Sequence, residues 1–187
     1  RPGCPCVADY PQIGADEYGF YISSNEFNAS FESFIGAQIH AISKAALGSG
    51  APVPTTYRFV LPFTTGFEFA IQPAMTPPGA SFALGNGGLE YFVSTNASFA
   101  VGSSMAVWAM YNTSTLRTPN PNLTLVQINV PTITYTFPDV ARQRPGPLPY
   151  GSTLIPPGVL AFIDGGDHRI QSLSYAGGRL YATVSTD

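Results

Sequence analysis

Apolar and polar residues alternate along this chain in short runs, and the runs come in fours. Residues 9–15, 20–27, 36–43 and 56–61 each alternate or gather aromatic and β-branched side chains, with turn residues between them, which predicts four strands. Asp16-Glu17-Tyr18-Gly19 joins the first two, with Asp first and Gly last as a type I turn or its bulged hairpin variant prefers. Pro11 places the first strand at an edge or an unpaired position. The third run also reads as helix, since Phe31, Ile35, Ile39 and Ile42 fall at helical spacing and Lys44-Ala45-Ala46-Leu47 has good helix formers. Its counterpart at 105–111 has no such stripe, so a strand is expected, followed at most by one helical turn at 44–47.

The pattern then repeats. Strands are expected at 67–72, 89–96, 105–111 and 123–130, with 73–88 as a long Pro- and Gly-rich excursion. Residues 20–25 return in kind as Tyr91-Phe92-Val93-Ser94-Thr95-Asn96, and a looser copy of the opening hairpin occupies 169–186. Across the copies Ile13 matches Leu173, Tyr21 matches Phe92 and Tyr181, and Ser23 matches Ser94 and Thr183; the carboxylates do not recur. A third unit is expected to open with a strand at 159–163, turn through Asp164-Gly165-Gly166-Asp167, and run 169–176 and 179–185.

Four-stranded antiparallel units in series point to an all-β fold, a partial β-propeller of about two and a half blades. The alternative is a β-sandwich or a closed barrel of about ten strands. The expected organisation is one β domain over 1–187, with units at about 7–62, 66–131 and 159–187 and a Pro-rich surface connection at 132–158. A half-built blade has open edges that need another segment, another copy or a second chain to pair with them.

Charge narrows the partners. Charged residues are 10% of the chain, against about 25% in an ordinary soluble domain. Lys44 is the single lysine, which excludes the clustered basic residues that nucleic acid or an acidic membrane requires. No stretch approaches the roughly 20 apolar residues of a membrane span. The chain opens on Arg1-Pro2-Gly3-Cys4 without an apolar leader segment, so a processed or truncated start is expected. Asn28, Asn96, Asn112 and Asn122 each begin an N-x-[ST] sequon, four of the eight asparagines, which favours a secreted glycoprotein. Asn28 and Asn96 both follow a second strand and so share one face, with Asn112 and Asn122 on the other face or the rim. Cys4 and Cys6 flank Pro5; a bond between them closes a very small ring, so pairing with another segment or chain is equally open. Zinc would need two further ligands, and His40 and His168 are distant in sequence.

Residues 6–16, then Gly19-Phe20-Tyr21-Ile22, Asn25-Glu26-Phe27, Gly36-Ala37-Gln38-Ile39 and Ala41-Ile42-Ser43-Lys44 resemble a group of secreted, largely uncharacterised proteins related to sialidase-like propellers. The pieces 69–74, 90–94 and 167–171 resemble the same group in the same order. The resemblance implies a propeller fold, with this chain an internal portion of a longer protein.

Chemistry is sparse. Sialidases carry a Ser-x-Asp-x-Gly-x-Thr-Trp box and an arginine cluster; Arg58, Arg117, Arg142, Arg144 and Arg169 are present, the box is not. A generic glycosidase needs a carboxylate pair, for which Asp9 and Glu26 are candidates beside their plainer role as turn and edge residues. G-x-S-x-G and H-E-x-x-H are absent. Asp164 and Asp167 are candidate Ca²⁺ ligands, or simply an Asp-Gly turn. Asp9, Asp167 and Arg169 come together near the axis if first strands line a channel, as an anion or metal site or as a structural ion-pair belt. No catalytic residue and no cofactor beyond that Ca²⁺ candidate is assigned. The expected function is an extracellular glycoprotein structural or binding module, non-catalytic, that assembles with other copies or chains through open β-edges and meets glycans as partners. The alternative is a fragment of a carbohydrate-active propeller enzyme.

Overall fold

The opening repeat folds as its alternation predicts. In the computed structural model, which describes residues 5–50, 55–96, 100–139, 141–142, 162–163 and 165–186, β1 (Cys6–Ala15), β2 (Gly19–Asn28), β3 (Phe34–Ser43) and β4 (Thr56–Pro62) form an antiparallel sheet in that order. Asp16 closes the first turn, its Oδ1 accepting from the amides of Tyr18 (2.8 Å) and Gly19 (2.6 Å). The helical turn after β3 is present as α1 (Lys44–Gly48), capped by Ser43, whose Oγ accepts from the Ala46 amide.

The second sheet has the order β5 (Gln72–Pro73), β6 (Leu89–Thr95), β7 (Val101–Tyr111) and β8 (Thr124–Thr136). Its first strand is shorter than the alternation over 67–72 predicts, because side chains take the backbone donors that a ladder would use. Glu68 gathers the amides of Thr64, Thr65 and Gly66 and the hydroxyls of Thr64 and Thr65, and the Ala70 amide donates to Asn25 Oδ1 at 2.7 Å. Ala70 itself has φ of +46°. At the other edge β8 runs past Pro131 through Thr136, with a register shift between Gly102 and Ser104. The expected connection therefore begins later than 132.

The third unit also departs from expectation. Of its first strand at 159–163, the described residues form β10 (Phe162–Ile163), which pairs with β9 (Ala141–Arg142) in a separate two-stranded sheet. The closing hairpin is β11 (Ile170–Ala176) and β12 (Arg179–Val184).

Alternation decides which faces meet. Tyr21, Ala37, Ile39 and Ala41 of the first sheet pack with Phe92, Ala106, Trp108 and Met110 of the second, joined by Tyr57, Phe59 and Leu61 from β4 and Leu125 from β8. Tyr21 and Phe92 meet edge to face at 5.8 Å. The opposite face of the second sheet, with Val93, Met105 and Val107, receives Ile170, Leu173, Leu180 and Val184 of the hairpin. The sheets are stitched at Met75, just past β5, which bridges Ala15 at the end of β1 and Ser174 within β11, both parallel. Among the described residues no sheet closes into a barrel, and no helix is long and apolar enough to cross a membrane.

That seam depends on close approach. A Cβ built on Gly14 would lie 2.5 Å from the Ala74 carbonyl oxygen, a backbone atom that cannot swing away. Gly14→Ala is expected to cost about 1–3 kcal/mol in denaturant unfolding. Gly48→Ala, where an added Cβ meets nothing within 4 Å, is the control and should cost nothing.

Candidate functional site

The segment entering β11 brings two of the three expected residues together. Arg169 Nε donates to both Asp167 oxygens, at 2.7 and 2.9 Å, and the Arg169 amide also donates to Asp167. Burial alone would raise the Asp167 pKa, but the bonds from Arg169 outweigh it and hold the carboxyl below its ordinary value; Arg169 is pushed up by the same pair. The guanidinium lies against two rings, 4.4 Å from the Tyr10 centroid and 5.2 Å from that of Phe69. Here β1 contributes Tyr10 and not Asp9. The register of β1 shifts between Asp9 and Gln12, and Tyr10 has φ of +50°; Asp9 is exposed.

Asp9 and Glu26 do not form a carboxylate pair. Asp9 lies opposite Asn25 and Glu26 opposite Ala8, so the two belong to opposite faces of the first sheet. Asp167 has both oxygens on Arg169, and a Ca²⁺ there would have to displace the guanidinium. Asp164 lies outside the described residues, among which no group of three or more His, Cys, Asp or Glu gathers for a metal. Cys6 is disulfide-bonded and no described cysteine is free; Cys4 lies outside the described residues.

Beside Arg169 opens a cleft of about 270 Å³ walled by Phe27, Phe34, Phe63, Phe69 and Phe137, with His168 in its lining. Phe34 is its centre, 5.1 Å from Phe63, 5.2 Å from Phe69 and 5.5 Å from Phe27. His168 is 1% exposed, lies against Phe137 at 4.6 Å with the rings tilted by 36° and has Nδ1 3.2 Å from Thr95 Oγ1. Ring faces and a neutralised ion pair suit this cleft to holding a flat or apolar group. Of the sequon asparagines, Asn28 accepts from the amides of Glu32 and Ser33 through Oδ1, Asn96 has Nδ2, the atom a glycan would take, donating to Thr65 O, Asn112 is left-handed at φ of +62° and Asn122 is exposed.

At the other end of the inner strands lies a group that sequence reasoning missed. Glu90 is buried, its Oε1 accepting from the Ala74 amide at 3.0 Å. Asp16, also buried, accepts from the Thr113 hydroxyl through Oδ2, and its carbonyl oxygen accepts from Lys44 Nζ. Burial first, and the Asp16 charge second, push Glu90 well above the carboxylate range. The same causes push the Tyr21 phenol up. The signal was local: Glu90 stands two residues before Phe92, on the face where alternation calls for an apolar side chain.

No protein-family model, curated protein or solved structure matches the chain.

Glu90 gives a pH dependence with a definite sign. Its folded pKa is raised, so below the ordinary value of 4.5 both states are protonated and the group is neutral to stability. As pH rises the unfolded chain loses the proton first, and stability falls until the folded pKa is passed. Each pH unit between the two values is worth about 1.4 kcal/mol. Glu90→Gln, which keeps an oxygen for the Ala74 amide, should raise the melting temperature at about pH 8 by at least about 2–4 °C and leave it unchanged below the unfolded-state pKa. A variant that melts lower than the parent at about pH 8 is incompatible with a raised folded-state pKa here.

Proposed function

We propose that this chain is a sector of a β-propeller, acting as an extracellular, N-glycosylated structural or binding module. In this reading it carries out no reaction and completes its β-structure by pairing an open strand edge with another chain or copy. One observation carries it: among the described residues the second sheet is packed by a four-stranded sheet on one face and by a two-stranded hairpin on the other. Inner strands held level through Ala15, Met75 and Ser174 support the propeller arrangement, as does the resemblance to secreted relatives of sialidase-like propellers. The four sequons and the low charge support the extracellular setting.

The carbohydrate-active alternative has less behind it. It calls for exposed aromatic pairs beside clustered carboxylates. Phe63 and Phe137 are partly exposed at the cleft, but the one carboxylate there, Asp167, is already taken by Arg169.

Secretion of the chain from eukaryotic cells tests the reading. Intact mass should fall on enzymatic removal of N-glycans, and light scattering at the highest soluble concentration should give more than one chain per particle. An unmodified chain that scatters as a monomer removes the proposal.

A further inference from the structure

Five phenylalanine side chains converge at the end of the sheets where β2, β4 and β8 finish. Phe27 lies near the end of β2, opposite Phe34, the first residue of β3. Phe63 follows β4 with its amide donating to Ile35 at 3.2 Å, and Phe137 follows β8 with its amide donating to Ala100 at 3.2 Å. Phe69 stands between Glu68, which holds the amides of Thr64, Thr65 and Gly66, and Ala70, whose amide donates to Asn25. The backbone beneath the rings is tied down, so the cleft is formed before anything enters it. None of the five rings is buried. Phe63 and Phe137 are 44% and 41% exposed, whereas the core rings of Tyr21 and Phe92 are 0% exposed. Aromatic surface of the kind a core hides is turned here toward one space of about 270 Å³.

The lining has little polar capacity left. Both Asp167 oxygens accept from Arg169, the guanidinium is flanked by the Tyr10 and Phe69 rings, and His168 is 1% exposed with Nδ1 beside Thr95. The Asp167 and Arg169 charges cancel. A sugar in this space would leave hydroxyls without partners, at a cost on the order of tenfold in affinity for each. An aromatic ring has no such groups to satisfy. Phe34 meets Phe63 at 75° and Phe69 at 78°, so ring faces and ring edges alternate around the space, and one further ring can meet both by offset stacking and edge-to-face contact. An apolar cavity of roughly 150 Å³ holds benzene, which sets the scale at one or two fused rings.

We infer that the cleft is a binding site for a small uncharged aromatic molecule of one or two fused rings. Ring contact and the release of water from the five side chains supply the affinity. The closed pair of Asp167 and Arg169 supplies the selectivity, since it offers a charged ligand no uncompensated charge. This deepens the module reading above, on which it rests for a binding role, by giving that role a ligand class.

The probe is 5-fluoroindole, followed on the intact chain by the broadening of its fluorine resonance. It should bind with a Kd of about 1 mM or tighter, and methyl β-glucopyranoside at the same concentration should neither bind nor displace it. Phe63→Ser, at a partly exposed rim position, should keep the parent circular dichroism and weaken probe binding at least about fivefold; Phe137→Ser, on the opposite rim, should do the same and replaces it if the first variant misfolds. Phe31→Ser, 56% exposed and outside the cleft, should bind like the parent. Uptake of the glucoside, probe binding unchanged by the folded rim variant, or loss of binding in Phe31→Ser overturns the inference. So does no uptake at all, the result that a cleft already filled from within the chain would give. Glycan removal and light scattering do not depend on the cleft. A glycosylated, associating chain that takes up no probe keeps the module reading as a structural one and loses this site, whereas an unmodified monomer that binds the probe at the rim keeps the site and loses that reading.

Discussion

The end of β1, the segment leaving β5 and the body of β11 meet at Met75, and the rest of the structure is arranged by how closely they approach. Ala15 donates to the Ala74 carbonyl at 3.0 Å, Met75 donates to Leu173, and Tyr175 donates back to Met75. Only a residue without a side chain fits at Gly14, where Pro73 and Ala74 press against it. With this seam fixed, the second sheet must present one face to the first sheet and the other to the hairpin. A two-residue β5 suffices because its neighbours find partners elsewhere: the Ala74 amide is shared between the Tyr91 carbonyl and Glu90, and the Ala70 amide goes to Asn25. The backbone accounting closes through side chains where the ladder is short.

Two glutamates show opposite electrostatics, although both side chains are nearly out of contact with solvent, 4% exposed at Glu68 and 3% at Glu90. Burial raises the pKa of both. At Glu68 the bonds from Thr65 and Thr64 outweigh it, and the carboxyl is held low and charged. At Glu90 one amide and the Lys44 charge are too little against burial and the Asp16 charge, and the carboxyl is pushed well above its ordinary range. The difference lies in depth and in donors, since Glu68 sits just under the exposed Thr64 and Thr65 whereas Glu90 lies deep between the sheets. Glu68 closes a local nest of three consecutive amides, which fixes the entry to β5; Glu90 is matched to a single amide across the seam. Asp16 is the knot that ties the first turn, Thr113 and Lys44 together.

What could be read from the residues follows from how local each determinant is. The strands β1 to β4 and the closing hairpin were legible because alternation, turn residues and the recurrence of Tyr21 in Phe92 and Tyr181 all agree. The strand expected at 67–72 was not, because nothing in its alternation reveals that Glu68 and Asn25 claim its amides. Pro131 suggested an end to β8, yet a register shift against β7 carries the strand to Thr136. At the candidate site, Asp167 and Arg169 were legible as neighbours two residues apart, whereas the Tyr10 ring replaced Asp9 through a bulge that no spacing rule announces. The Asp16 and Glu90 pair joins residues far apart in sequence, and only the misplaced polarity of Glu90 in its strand hinted at it.

Low charge has a cost at strand edges that bears on the whole molecule. Exposed edges are usually protected by lysine, by inward-pointing charge or by covering segments. This chain has one lysine, and it is committed to the Asp16 carbonyl and to the Phe82 ring at 5.0 Å. Strand β8 runs thirteen residues without a charge, with Pro131 its only interruption. A sequence with high β-propensity and no gatekeeping charge either aggregates or is covered. The same strand is well packed through Leu125 on the side that has a sheet above it and bare at Ile128 on the side that has a hairpin. Among the described residues, then, the bare side of β8 lies beside a hairpin of two strands and its packed side beneath a sheet of four, so the contrast reflects what lies over each face and not the strand itself.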